Sequence, residues 1–105
     1  MATVENLDLV TIVVQHKDES KVVDAILKAG APGATYFYGR GTGVRQRLGI
    51  LGRMIEAEKL IFLIALTPDK TPAVVKAATE AAKLEEPGNG FLCVQKASQV
   101  VGFFS

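Results

Sequence analysis

The sequence contains few of the residues from which metal sites and nucleophilic active sites are built. It has one histidine, His16, and one cysteine, Cys93. Structural zinc sites use four such ligands, so this sequence argues against one. Cys93 has no histidine near it in sequence to activate it, and a cysteine within a strand-like segment is more often a small core residue. A lone cysteine also excludes an internal disulfide and favours a reducing compartment, the cytoplasm.

The sequence also lacks a strong charge imbalance and any long apolar run. Its 12 basic and 11 acidic residues leave a net charge of +1, whereas proteins that bind nucleic acid present a strongly basic face. No apolar run approaches the length of about 18 residues that indicates a membrane-spanning helix. The first residues carry neither the basic nor the apolar region of a signal peptide. With 105 residues, the sequence predicts a single cytoplasmic domain.

Two segments show helical spacing of apolar residues. The first follows Asp18, which we predict as its N-cap, and Gly30 stands where a residue just past a helix C-terminus is expected. The second begins at Thr71 and Pro72, a capping hydroxyl followed by a proline at the first helical position. Its alanine-rich face permits close packing.

Apolar and β-branched runs predict the strands. They are Leu7–Val14, Ala34–Tyr38, a central strand at Leu60–Leu66, Phe91–Val94, and a separate edge strand within Gln99–Phe104. Apart from that added edge strand, the order is β-α-β-β-α-β, which with right-handed crossovers gives an α+β ferredoxin-like sandwich of four antiparallel strands with two helices on one face. We predict that Tyr36, Tyr38 and Phe62 point to the other, open face. An apolar open face favours oligomerisation.

The remaining polar residues do not form a catalytic pattern. The serines lack the setting of a nucleophile elbow. Asp69 and the Glu85–Glu86 pair lie at predicted turns or helix ends, where solvation and the helix dipole explain them. An acylphosphatase-type hydrolase, an enzyme of this fold, needs an arginine-bearing loop after the first strand, and residues 15–18 read Gln-His-Lys-Asp. We therefore predict that the protein is not an enzyme.

The most distinctive stretch is Gly39–Arg53, which combines five glycines with four arginines and contains no acidic residue. Glycines at this density exclude a regular element. A flexible backbone with unpaired N–H groups, together with guanidinium groups, suits the binding of phosphate or carboxylate. The alternative is a solvated surface loop whose arginines pair with acids elsewhere. The arginines are Arg40, Arg45, Arg47 and Arg53.

A second glycine-rich loop reads Pro87-Gly88-Asn89-Gly90, and neither loop matches a Walker A motif. In the predicted fold the two loops need not lie together within one subunit. Across an oligomer interface they can meet, and backbone amides from both could then hold a phosphate chain.

Over nearly its whole length the sequence resembles the nitrogen-regulatory PII superfamily, and its small PII-like members in particular. The segments that carry the resemblance are Leu-Val-Thr-Ile-Val-Val at 9–14, Gly-Ala-Thr-Tyr-Phe-Tyr-Gly-Arg-Gly-Thr-Gly at 33–43, Glu-Lys-Leu-Ile-Phe-Leu-Ile-Ala at 58–65, Pro-Gly-Asn-Gly-Phe-Leu-Cys-Val at 87–94 and Gln-Val-Val at 99–101. The resemblance implies a homotrimer with an adenine nucleotide in each inter-subunit cleft. It also implies a long T-loop that docks on a transporter, enzyme or regulator.

The resemblance places the T-loop at about 43–58 and the phosphate-binding B-loop at about 85–91. The nucleotide-binding residues it implies are Gly41, Thr42, Gly43, Gly88, Asn89 and Gly90. Standard members have a lysine where this chain has Phe91, and they have basic residues near the C-terminus that Gly-Phe-Phe-Ser at 102–105 does not supply. Each missing cation removes charge-assisted contacts of about 1.5–3 kcal/mol, which penalises ATP most and favours ADP or AMP.

A short, arginine-rich T-loop with a weakened phosphate site is similar to that of the carboxysome-associated PII-like proteins, which respond to bicarbonate and adenine nucleotides. Arg45, Arg47 or adjacent amides would hold bicarbonate in a bidentate manner. Two other functions remain open at this point. One is a scaffolding trimer that binds a protein partner without a ligand, and the other is a small-molecule regulatory domain of the ACT type on the same fold.

Overall fold

The computed structural model describes residues 3–41 and 57–103. Within these ranges the elements follow the predicted order, and a short 3-10 turn, His16–Asp18, joins the first strand to the first helix. The elements are β1 (Thr3–Gln15), α1 (Glu19–Lys28), β2 (Thr35–Gly41), β3 (Ala57–Leu66), α2 (Thr71–Ala82) and β4 (Gly90–Val101). In the described ranges, no helix has the length and apolar character that crossing a membrane requires.

The four strands form one antiparallel sheet in the order β2-β3-β1-β4. β1 pairs with β3 from Asp8 to Gln15, and with β4 from Thr3 to Val14. β2 pairs with β3 on the other side, and this pairing includes Gly39, Arg40 and Gly41. The prediction that the glycines exclude a regular element is therefore wrong for these three residues. The arrangement confirms the predicted α+β ferredoxin-like sandwich, and β3 is central as expected.

The core lies between the sheet and the two helices. α1 contributes Val22 and Ile26, and α2 contributes Val74, Ala78 and Ala82, all of them buried. Their spacing of four residues places them on one face of each helix. They pack against alternate residues of the central strands, namely Val10, Ile12, Val14, Leu60, Phe62, Ile64 and Leu66.

The prediction that Tyr36, Tyr38 and Phe62 point to the open face is wrong. Phe62 is fully buried in the core, and its ring lies 5.1 Å from that of Tyr36, its neighbour in the register. Since successive residues of a strand point to opposite faces, Tyr38 shares the helix side with Tyr36. The alternate residues of the same strands, such as Phe37 on β2 and Leu63 on β3, point to the open face instead. Its large exposed side chains are Phe37 (49%), Leu63 (40%) and Phe91 (56%).

The prediction of two separate C-terminal strands is also wrong, because β4 is one strand from Gly90 to Val101. Polar residues such as Gln95 and Lys96 interrupt the apolar pattern on which the prediction was based. In an edge strand they face solvent, while the backbone still pairs with β1 along the whole length. The same pairing extends β1 beyond the predicted Leu7–Val14, to Thr3.

The predicted helix caps are only partly correct. Gly30 follows the C-terminus of α1 with a φ of +112°, as expected for that position. Asp18 occupies the N-cap position, but its side chain does not cap the helix and instead lies 3.4 Å from the Lys21 ammonium. α2 begins at Thr71 itself, with Lys70 as its N-cap.

The Thr71 hydroxyl does not cap α2 because it donates a hydrogen bond of 2.6 Å to Oδ2 of Asp8 on β1. Asp8 is only 5% exposed, and its Oδ1 lies 2.8 Å from the Lys96 ammonium on β4. The contacts with Lys96 and Thr71 lower the pKa of Asp8 below its ordinary value of 3.8. One carboxylate therefore joins β1, β4 and α2.

We predict that Asp8→Asn lowers the free energy of unfolding at neutral pH. We also predict that this free energy falls less steeply with acid in the variant than in the wild type. Because the pKa of Asp8 is lowered in the folded protein, its contribution is fully present above the ordinary value of 3.8 and is lost as the pH falls through the folded-state value. Urea unfolding between pH 7 and pH 2 measures this. The two curves should converge at the acid end.

Asp24→Asn is the matched control, since Asp24 is exposed on α1. It should leave the curve of the wild-type protein almost unchanged. An Asp8 variant whose unfolding free energy stays a constant amount below that of the wild type at every pH would contradict the assignment.

Candidate functional site

All four strands have an end at the same end of the sheet. The pairing places Gly41 of β2 opposite Ala57 of β3, Lys59 of β3 opposite Gln15 of β1, and Val14 opposite Gly90 of β4. We call this the loop end. The stretch Gly39–Arg53, the arginine–glycine segment, leaves the sheet after Gly41, and Pro87-Gly88-Asn89-Gly90, the Gly88 loop, joins β4 at Gly90. The two roots lie at opposite edges, three strand spacings or about 14 Å apart. The sequence alone does not determine how far apart the two roots lie within one subunit.

The glycine at the start of β4 is required by a close approach to β1. Gly90 has a φ of +127°, and a Cβ at this position would lie 2.0 Å from the carbonyl oxygen of Val13. Neither the conformation nor the space tolerates a side chain. Gly88, with a φ of +86°, also has a conformation that side chains rarely adopt. The two glycines therefore shape the loop whatever it binds.

The side chain of Asn89 holds this loop together. It is 9% exposed, and its Oδ1 accepts a 3.2 Å hydrogen bond from Nε2 of Gln15. Its Nδ2 donates a 3.0 Å bond to the carbonyl oxygen of Lys83, which lies just past α2 in a left-handed conformation with a φ of 53°. Gln15 also donates to the carbonyl oxygen of Gly88 at 3.2 Å. Both ends of the Asn89 amide are thus bonded within the protein.

The predicted site residues fall into three groups. Gly88, Asn89 and Gly90 lie together in one loop at the β4 edge. Gly41 lies at the opposite edge, next to Arg40, which is exposed. The other predicted residues, Thr42, Gly43, Arg45, Arg47 and Arg53, lie outside the described ranges, as does almost all of the segment 43–58 predicted as the T-loop.

Sequence reasoning missed a polar cluster at the root of the arginine–glycine segment. The hydroxyl of Tyr38 donates a 2.9 Å hydrogen bond to Oε1 of Glu19, and this bond to a carboxylate raises the pKa of the tyrosine. Nε2 of His16 lies 3.9 Å from the same oxygen, and its ring is 4.9 Å from that of Tyr38. No sequence signal could reveal the cluster, because it depends on which face of β2 meets the start of α1.

The surface that precedes the Gly88 loop is acidic. A cavity of about 380 Å³ is lined by Thr79, Glu80, Lys83, Glu85 and Glu86, so three carboxylates and one ammonium surround it. A nearby polyphosphate would meet repulsion from this side. The described residues contain no group of three or more histidine, cysteine or acidic side chains that could hold a metal ion. The charged side chains that line this cavity are therefore mainly acidic.

Comparison with known proteins identifies the family. A family model described as nitrogen regulatory protein P-II matches residues 7–102. The fold is similar to that of Arabidopsis thaliana PII bound to citrate, with a TM-score of 0.69, 24% identity, and coverage of 90% of this chain and 79% of that one. It is also similar to Bacillus subtilis GlnK, with a TM-score of 0.69, 20% identity, and coverage of 89% and 86%. The comparison with curated proteins gave no match. Because the family model spans most of its length, the chain belongs to the nitrogen regulatory protein P-II family.

Proposed function

We propose that this protein is a non-enzymatic cytoplasmic signalling protein that forms a homotrimer and binds an adenine nucleotide between subunits, with ADP or AMP favoured over ATP. The observation that carries the proposal is the position of the two loop roots, which lie at one end of the sheet but on opposite edges. Family membership supports a regulatory role.

The open face supports assembly. Phe37, Ile61, Val13 and Phe91 lie side by side across the four strands. The next row is Thr35, Leu63, Thr11 and Cys93, so the middle of this face carries no charge. Cys93 is exposed in this row, so the expectation of a core cysteine is wrong. An uncharged face with exposed aromatic side chains is a typical subunit interface.

The two edges of this face differ, with Phe37 at the β2 edge and Phe91 at the β4 edge. A contact between unlike edges is heterologous, and such contacts form a closed ring when the rotation from one subunit to the next closes. In a ring of three, the β2 edge of one subunit meets the β4 edge of the next. The root of the arginine–glycine segment of one copy then faces the Gly88 loop of its neighbour. This is the slot that we assign to the nucleotide.

The chemistry of the Gly88 loop supports a ligand of limited charge. The side-chain amide of Asn89 is hydrogen-bonded to Gln15 and to the carbonyl oxygen of Lys83. The donors left to the loop for a ligand are therefore its backbone N–H groups. Phe91 stands at the position where standard relatives have a lysine, and Glu85 and Glu86 lie nearby. Amides without a cation favour one or two phosphates over three.

Arg40, Arg45, Arg47 and Arg53 form the effector segment of this proposal. Guanidinium groups bind planar carboxylates in a bidentate manner, and bicarbonate has the same planar O–C–O group. The similar Arabidopsis protein is described as bound to citrate, which is also a carboxylate anion. We assign this segment to bicarbonate sensing and to docking on a transporter, enzyme or regulator in inorganic-carbon or nitrogen regulation, with a carboxysome-associated role as the specific case.

We predict that Phe37→Glu dissociates the trimer, because it places a charge in an apolar interface without a partner. Sedimentation velocity should give three chain masses for the wild type and one for the variant. Leu27→Glu, which adds the same charge at an exposed position of α1, is the control and should remain trimeric. A wild-type monomer, or a trimeric Phe37 variant, would contradict the proposed interface.

We predict that calorimetry detects ADP and AMP binding to the wild type and weaker binding of ATP. Phe91→Lys should remain trimeric in sedimentation velocity with ATP bound, because its ammonium, unlike the carboxylate of Phe37→Glu, then has the phosphates of the proposed slot as a partner. In that trimer it should raise the affinity for ATP about tenfold or more, since a charge-assisted bond contributes about 1.5–3 kcal/mol and about 1.4 kcal/mol is a factor of ten. Phe91→Met, a neutral side chain at the same place, should not. Gly90 is unsuitable for this test because a side chain there collides with Val13 and would impair folding.

The competing function, a scaffolding trimer without a ligand, makes the opposite prediction. It predicts that calorimetry detects no binding of any adenine nucleotide. It also predicts that these nucleotides do not raise the midpoint of thermal unfolding, because only a ligand selective for the native state raises that midpoint. This result would contradict the proposed nucleotide binding, but it would not contradict the proposed trimer.

We predict that bicarbonate changes either ADP affinity or the proteolysis rate of the arginine–glycine segment at fixed pH and ionic strength. Chloride at equal ionic strength is the control anion. The double variant Arg45→Gln and Arg47→Gln should lose the response, because a neutral amide cannot make a charge-assisted pair with an anion. An unchanged affinity and an unchanged cleavage rate in the wild type would rule out bicarbonate sensing.

A further inference from the structure

Gln15 makes a contact that no motif in the sequence predicts. It is the last residue of β1, and its Nε2 donates to two acceptors of the Gly88 loop, the carbonyl oxygen of Gly88 and Oδ1 of Asn89, each at 3.2 Å. A glutamine amide nitrogen carries two hydrogens, so both are used here. The residues are more than 70 positions apart in the chain. This contact therefore fixes the loop against the end of the sheet.

The hydrogen bonds also fix the orientation of the Asn89 amide. Its oxygen faces the NH₂ group of Gln15, and its nitrogen faces the carbonyl oxygen of Lys83. The reverse orientation would place two donors against each other and two acceptors against each other. Only one arrangement of the three groups satisfies every bond. The loop is held from the sheet by Gln15 and from the end of α2 by Lys83.

The bond to the Gly88 carbonyl has a consequence on the other side of the same peptide group. The peptide is trans, and in a trans peptide the C=O and the following N–H point in opposite directions. Because the Gly88 carbonyl points to Gln15, the N–H of Asn89 points away from it. A reversed peptide would present a carbonyl oxygen where an anion needs a donor.

We propose that Gln15 is a positioning residue for the anion site, which keeps the Asn89 N–H directed at a phosphate oxygen of the bound nucleotide. This inference rests on the adenylate site proposed above. It assigns the side chain of Asn89 to holding the loop and its backbone to the ligand. Gln15 itself does not contact the ligand.

The test is Gln15→Glu at two pH values. At pH 7.5 the introduced carboxylate cannot donate to two oxygen acceptors, and ADP affinity should fall at least tenfold relative to the wild type. Two acceptors raise the pKa of such a carboxyl group above its ordinary value of about 4.3. At pH 5 a fraction of the introduced carboxyl groups is protonated and can donate a hydrogen bond to the loop again. The ADP affinity of the variant should therefore lie closer to that of the wild type than it does at pH 7.5. The nucleotide phosphate is the same in both measurements, so its own protonation cancels in the ratio of the two affinities.

Gln99→Glu is the matched control, since Gln99 is exposed and pairs with Glu5, far along β4 from Gly90. It should bind ADP within about twofold of the wild type at both pH values. A Gln15→Glu variant that binds ADP as well as the wild type, or one whose deficit stays the same at pH 5, would overturn the inference. A wild type that binds no adenylate would instead overturn the proposed function.

A measurement on the wild type covers the case in which the variant does not fold. In ¹H–¹⁵N spectra recorded during ADP titration, the Asn89 backbone amide should shift downfield, as expected for an N–H that gains an anionic acceptor. The side-chain NH₂ of Gln15 should remain protected from exchange throughout. An Asn89 amide that does not move while ADP binds would contradict the assignment.

Discussion

The structure depends on the pairing of β1 with two strands at once. From Asp8 to Val14 this strand lies between β3 and β4, so its register sets the position of both. The strand ends at Gln15, and the neighbouring strands place the roots of the two glycine-rich segments at that same end. A shift of one residue would turn every core side chain outward. The burial of Val10, Ile12 and Val14 therefore also fixes the geometry of the candidate site.

The two edges of the sheet differ in structure at the loop end. At the β4 edge, Gly90 lies against the backbone of β1, and Asn89 closes the loop with its side chain. At the β2 edge, Tyr38 is bonded to Glu19 just before the arginine–glycine segment begins. The loop at the β4 edge is thus tied to β1 and to the end of α2, and the β2 edge leads into the arginine–glycine segment. An apolar open face between them gives a physical reason why neighbouring subunits would bring unlike edges together.

Apolar periodicity and glycine positions predicted the element order and the fold, because these signals act locally. The family was predicted from the resemblance of whole segments, and the family model confirms it. Prediction from the sequence failed where neighbours in space decide the outcome. Tyr36 and Phe62 read as open-face residues until the register placed them on the helix side. Thr71 read as a helix cap, but its hydroxyl bonds to Asp8 across the sheet. The sequence also does not predict that the Asn89 side chain is buried or that it bonds to Gln15, since the two residues lie far apart along the chain.

The central claim is that an adenine nucleotide binds between the β2 edge of one subunit and the Gly88 loop of the next. A crystal structure of the protein grown with ADP tests this most directly. The account predicts three copies around a threefold axis, with a phosphate oxygen within hydrogen-bond distance of the Asn89 backbone nitrogen and Gly41 of the neighbouring copy lining the same cleft. A trimer in which ADP binds elsewhere, or copies whose Gly88 loops face solvent with ADP absent, would contradict it.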